Sequence, residues 1–253
     1  MGLWTPEHKA TLIPSVVVMV LIAIGLRFLL GKREHKLRMI PFQIFACILF
    51  LLEVGKQICS LMRGYDLYHL PFHFCSLFIF MLPVMAFYKG KHRQSVYAIT
   101  AALCGSVFLL MLIYPNLIYS AWNVENFFKD YLSFHTVAFH NIVMLEFLLI
   151  LALNLHEPQP KGEAKVVAWF AVGFCAVSAS MSYLLKTNYA SFYECNIPPL
   201  EVVRQNLCQV LGPVATQLLY VAIVAALTVA FVVMCYWLYR LLRQGTKKPE
   251  RIA

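Results

Sequence analysis

Apolar positions in this chain come as long unbroken runs, not as the alternating or one-face patterns of a soluble core. Seven runs of about 19 to 25 residues stand out: Leu12 to Leu30, Ile40 to Met62, Leu70 to Tyr88, Gln94 to Tyr114, Tyr131 to Leu153, Val166 to Leu185 and Val214 to Tyr239. Each is long enough for a helix to cross about 30 Å of hydrocarbon. The connections are short, so the pattern predicts an all-α fold: one polytopic bundle of seven transmembrane helices, a single domain over residues 1–253. The first run is too long for a signal-peptide core and no small-residue cleavage site follows it, so it reads as a retained span. Pro71 is expected at the first helical position of the third span, where its missing N–H has no partner to lose.

Composition agrees. The chain is 61% hydrophobic and 13% charged, with a mean hydropathy of +0.71, which excludes an ordinary soluble domain. A net charge of +9 in a soluble protein would suggest nucleic acid, but here the basic residues sit in short loops, where they set topology. Arg27, Lys32, Arg33, Lys36 and Arg38 flank the first loop, Lys89, Lys91 and Arg93 the third, Lys161 and Lys165 the fifth, and Arg240, Arg243, Lys247, Lys248 and Arg251 the tail. Only Lys9, Arg63, Lys129, Lys186 and Arg204 lie on the other side. The asymmetry predicts an N-terminus outside and a C-terminus in the cytoplasm. The longer aromatic and polar loops, Pro115 to Asp130 and Lys186 to Pro213, then face outward, and function is more often carried by such loops than by minimal turns.

Polar residues inside the runs mark candidate chemistry, because an unpaired polar group in hydrocarbon costs several kcal/mol. His73 and Cys75 open the third span, and a thiol near a helix N-terminus feels the positive end of the dipole, which favours thiolate. The alternative is that Cys75 is one of eight cysteines behaving as small hydrophobes. Glu53 and Lys56 are three apart and are expected to pair, with Gln57 extending that face; contact with a substrate headgroup is the other reading. Glu146 has no local partner and should face the bundle interior. His135 and His140 lie in span five about 140° apart, and His73 and Cys75 are about 200° apart on an ideal helix. Neither pair is a ready-made chelate, so no metal or other cofactor is expected. Any base for Cys75 should come from another helix; His135 and His140 lie about 6 and 13 Å into span five, against about 7 Å for Cys75 in span three. Asn188 and Tyr189 leave span six where they could meet a lipid headgroup, or serve as a helix cap and interfacial aromatic belt. Cys195 and Cys208 are candidates for a disulfide.

The order Leu70-Pro71-Phe72-His73-Phe74-Cys75, Tyr114-Pro115-Asn116-Leu117, His140, Thr187-Asn188-Tyr189 and Leu211-Gly212-Pro213 resembles the YwaF-type family of bacterial membrane proteins, related to the eukaryotic transmembrane protein 164. The resemblance runs from about span two to span seven. It departs at Lys186, where a glycine commonly precedes the Thr-Asn-Tyr element, and at Val214-Ala215-Thr216, a segment that is usually more aromatic. The eukaryotic relatives resemble acyltransferases that move a fatty acyl chain between phospholipids through a cysteine, which implies Cys75 as nucleophile and His140 as the histidine.

The expectation is therefore acyl transfer or hydrolysis on membrane phospholipids at the outer leaflet. A histidine activates Cys75, and Asn188, Tyr189, His73 or His135 binds substrate or oxyanion. A bacterial cell membrane is expected rather than a eukaryotic endomembrane. One rival is a zinc-dependent seven-span lipid hydrolase using His73, His135 and His140, which lacks a nearby aspartate. Another is a receptor or transporter, against which stand the absence of DRY and NPxxY elements, of a span-seven lysine and of broken-helix repeats.

Overall fold

The computed structural model describes residues 5–118, 120–159 and 162–245. Among them the regular elements are helices: α1 Pro6–Leu30, α2 His35–Arg38, α3 Ile40–Met62, α4 Leu77–Phe87, α5 Arg93–Ile113, α6 Ala121–Glu125, α7 Tyr131–Ala152, α8 Glu163–Leu185, α9 Pro198–Leu211 and α10 Pro213–Gly245. Single 3-10 turns lie at Leu67–His69, Phe74–Ser76, Pro115–Leu117 and Tyr189–Ser191. Lys161, Lys247, Lys248 and Arg251, which contribute to the charge asymmetry, lie outside the described residues. Among the described residues six helical stretches are long and apolar enough to cross a membrane: α1, α2 with α3, α5, α7, α8 and α10.

Local chemistry explains the boundaries. Pro41 sits in the first turn of α3, where its missing donor costs nothing. The Asp130 carboxylate accepts the Ser133 N–H at 2.9 Å and so caps α7. Pro213 opens α10, and Lys186 ends α8 in the left-handed region, with φ 51°.

Helix α5 is central and packs on α4, α7, α8 and α10. Its buried face includes Ala98, Ala101, Ala102, Gly105 and Ser106. Lipid tails are as apolar as the helices, so association rests on close packing, and small residues allow it. At Gly105 an added Cβ would stand only 3.0 Å from the Phe147 ring of α7. Glu146 points into this interior, fully buried, and neither of its oxygens has a hydrogen-bond partner among the described residues.

Side-chain ties identify the two ends of the bundle. At one end the Arg38 guanidinium donates to the Leu153 carbonyl at 2.9 Å, Tyr97 Oη meets His35 Nε2 at 3.1 Å, Gln43 donates to the Ala86 carbonyl at 3.3 Å, and Arg243 Nε donates to the His156 carbonyl at 3.1 Å. At the other, Arg63 pairs with Asp130 at 2.9 Å. Between Met62 and Arg93 the chain therefore returns from the second end to the first.

That return is not the uninterrupted helix predicted over Leu70 to Tyr88. Only Leu77–Phe87 is α-helical, a rise of about 17 Å, and Pro71 is not at a helix start. Leu70 (φ −64°, ψ 148°) and His73 (φ −76°, ψ 155°) are extended. Irregular backbone between apolar helices persists where protein satisfies it, and here side chains do so. Gln57 donates to the His69 carbonyl at 3.0 Å, Tyr189 Oη to that of Leu67 at 2.5 Å, Ser178 Oγ to that of Phe72 at 2.7 Å, and the His73 ring to that of Tyr68 at 3.0 Å. The stretch read as a loop from Lys186 to Pro213 also contains a helix, α9.

Candidate active site

The non-helical stretch of residues 64–76 lines a cavity of about 210 Å³ together with α3, α7 and the turn after α5. Its chemistry comes from Cys75, His69 and His73 on that stretch, Glu53 and Lys56 on α3, and His135 and His140 on α7. Leu117 and Ile118, at the end of the Tyr114-Pro115-Asn116-Leu117 segment, supply apolar wall.

Cys75 is half-buried in the Phe74–Ser76 turn that leads into α4. The expected placement at a helix N-terminus holds, although the turn, not Pro71, begins the helix. His73 and Cys75 both reach the cavity because the backbone between them is not α-helical, so the 200° separation of an ideal helix does not apply.

His140 is buried, and its Nδ1 lies 2.6 Å from the Thr136 carbonyl oxygen one turn earlier. A carbonyl only accepts, so Nδ1 carries the proton and Nε2 holds the lone pair. His135 instead faces Glu53, with Nε2 3.3 Å from Oε2. The Glu53 carboxylate is bracketed further by Lys56 Nζ at 2.7 Å and by Gln57 Nε2 at 2.7 Å. The Glu53 to Lys56 pairing and the extension through Gln57 expected from their spacing are therefore present. Tyr65 Oη donates to Gln57 Oε1 at 2.8 Å and closes the chain of bonds.

Three residues expected at the substrate are otherwise engaged. The Asn188 amide donates to the Glu194 carbonyl at 3.1 Å and to Asn196 Oδ1 at 2.9 Å, and its oxygen accepts the Tyr193 and Glu194 N–H groups. It organises the loop after α8 and does not line the cavity. Tyr189 is fully buried; its ring packs on His73 at 5.2 Å, so it braces the site from behind. His73 lines the cavity but donates its Nε2 proton to the Tyr68 carbonyl, which leaves a lone pair, not a donor, on Nδ1.

Sequence reasoning passed over Tyr68, His69 and Thr136. Thr136 had a readable signal, since it precedes His140 by four residues and its carbonyl therefore lies under the imidazole. Tyr68 packs at a tilt on His73 with centroids 4.2 Å apart, a contact that depends on the turn at Leu67–His69 and has no helical periodicity. Cys195 and Cys208 are both free thiols. Among the described residues no three His, Cys, Asp or Glu side chains group to hold a metal ion, although His73, His135 and His140 share one cavity.

No curated protein matches the chain, and no solved structure does. The TMEM164 family model matches residues 3–239, nearly the whole chain. A helical membrane bundle with a cysteine and histidines around one cavity thus belongs to the TMEM164 family.

Proposed function

We propose that the protein is an acyltransferase or acyl hydrolase of membrane phospholipids, working through a thioester on Cys75 with His140 as base. The observation that carries this reading is the shared cavity, in which Cys75 and His140 come from different helical segments and the imidazole is held by Thr136 in the tautomer a base requires. We also infer seven passes, the third being the broken one through residues 64–87, with the N-terminus outside and the C-terminus in the cytoplasm. The basic residues at the end of the bundle that carries the first, third and fifth loops support that orientation. The cavity then opens on the outer leaflet, in this reading that of a bacterial cell membrane.

In the first half-reaction His140 Nε2 takes the Cys75 proton and the sulfur attacks the ester carbonyl carbon. The carbonyl electrons collect on oxygen, then return as the bond to the glycerol oxygen breaks, and the imidazolium gives its proton to that leaving oxygen. The products are a lysophospholipid and an acyl-Cys75. In the second, His140 deprotonates a lipid hydroxyl or water, which attacks the thioester and releases the thiolate to be reprotonated. In this reading the Phe74 and Cys75 amides serve the oxyanion, because the first N–H groups of a helical turn have no partner within it. The Glu53, Lys56 and His135 cluster holds another part of the cavity wall.

The test is intact-mass analysis of purified protein incubated with phospholipids. An acyl adduct on Cys75, removed by hydroxylamine and absent from Cys75→Ala, is expected. Continued lipid turnover by protein whose thiol stays unmodified would falsify the mechanism.

A further inference from the structure

Residues of helices α8 and α10 together line a long groove on one side of the bundle. Its upper part, about 660 Å³, is lined by Tyr183, Tyr193, Glu194, Arg204 and Gln217 among apolar neighbours. Its lower part, about 670 Å³, is floored by Ala176, Ala225, Ala226 and Ala230. Ala179 and Val221 line both parts, so the two are continuous. From Gln217 to Val233 the groove follows about 24 Å of helix, longer than the roughly 15 Å that one leaflet contributes to the hydrocarbon core. Alanines on the floor let a slender chain lie close to both helices.

The charges at the upper end are not balanced. Arg204 donates to both oxygens of Glu201, at 2.7 and 2.6 Å, and to Gln217 Oε1 at 2.7 Å, so its charge is matched within the protein. The Glu194 carboxylate has no hydrogen bond or ion pair among the described residues, for only its backbone groups are engaged, with Asn188. Beside it Tyr183 and Tyr193 form a tilted ring pair with centroids 5.8 Å apart. Two aromatic faces and one unmatched carboxylate are the surroundings that recognise an alkylammonium group.

We infer that this groove binds one membrane lipid, its ammonium head between Tyr183, Tyr193 and Glu194 and one acyl chain along the alanine floor. The site is separate from the Cys75 cavity. The two share no lining residue, and Cys175, which lines the lower part of the groove, packs in one cluster with Phe174, Phe192 and Phe74, the neighbour of Cys75. The bound lipid is thus a resident of the α8 to α10 face and not the molecule being acylated or cleaved. The inference stands whether or not Cys75 is a nucleophile.

Native mass spectrometry of the full chain, titrated with dioleoyl phosphatidylcholine and separately with dioleoyl phosphatidylglycerol, tests it. The wild type should retain one choline lipid in preference to the glycerol lipid. Glu194→Gln should lower that preference by about tenfold, Ala226→Leu should weaken both lipids by filling the floor, and Cys75→Ala should change neither. Equal retention of the two lipids by the wild type, unchanged preference in Glu194→Gln, or a second copy of the chain occupying this face would overturn the inference. Glu194 is exposed, so that variant keeps the test decisive should Ala226→Leu fail to fold.

Discussion

His140 donates its Nδ1 proton to the carbonyl of Thr136, 2.6 Å away in the same helix, whereas His135, five residues earlier, faces Glu53. In the proposed mechanism this difference in partners is what favours His140 over His135 as the base for Cys75. His140→Ala should slow acylation of Cys75 by about 10²- to 10⁴-fold, the usual worth of a positioned base. His135→Asn should slow it far less, since that side chain acts on the carboxylate cluster. Single-turnover mass spectrometry gives both rates, and acylation of His140→Ala at the wild-type rate would remove the base assignment.

Glu53 and Lys56 stand 2.7 Å apart, with little of either side chain exposed. Replacing Glu53 by Ala leaves the Lys56 ammonium without its counter-charge in a buried site, which should cost about 3–5 kcal/mol. The double variant Glu53→Leu with Lys56→Met should recover most of that loss, because it removes both desolvated charges together. Thermal unfolding in detergent reads the difference. A double variant no more stable than Glu53→Ala would mean that the pair contributes more than mutual neutralisation.

Lys186 ends α8 at φ 51°, ψ 40°, in the left-handed region. The glycine expected from the resemblance at this place, immediately before Thr187-Asn188-Tyr189, would enter this region without a Cβ penalty. Lys186→Gly should raise stability by about 0.5–1 kcal/mol, while Lys186→Ala, which removes the charge but keeps the Cβ, should not. Melting curves of the two variants side by side separate backbone relief from loss of charge.

Hydropathy made most of this architecture readable. The predicted run from Ile40 to Met62 has the limits of α3, and those from Gln94 and Tyr131 fall within one residue of α5 and α7. It misread the third run because it counts residue types and not hydrogen-bond partners. Leu70-Pro71-Phe72-His73-Phe74-Cys75 is apolar enough for a helix, yet the carbonyls of Leu67, His69 and Phe72 in and before it are taken up by Tyr189, Gln57 and Ser178, residues distant in sequence. The same limit hid the cavity, which exists because that stretch is not helical. Helix α9 was overlooked for the opposite reason. Its mean polarity resembles a loop, although Leu200, Val203, Leu207 and Val210 keep helical spacing after Pro198-Pro199. For Asn188 and Tyr189, sequence order does not reveal that the one bonds within its own loop and the other to the Leu67 carbonyl.

Glu201 holds α9 to its surroundings, and it does so as a carboxylate. The Arg204 guanidinium, against the smaller opposing effect of burial, holds its pKa at about 2 in place of 4.5. The same group accepts the Cys195 N–H at 3.0 Å, and Arg204 reaches on to Gln217 of α10. A folded-state pKa below the ordinary one means that the contribution is complete above pH 4.5 and is lost as the pH falls toward about 2. Amide hydrogen exchange across residues 198–211 should therefore accelerate as the pH is lowered through that window, after correction for the intrinsic pH dependence of exchange. In Glu201→Gln, protection should be reduced at neutral pH already and should change little on acidification. A wild type whose corrected protection stays level down to pH 2 would show that α9 is fixed by its packing on α10 alone, and that the clamp of Glu201 and Arg204 adds nothing to it.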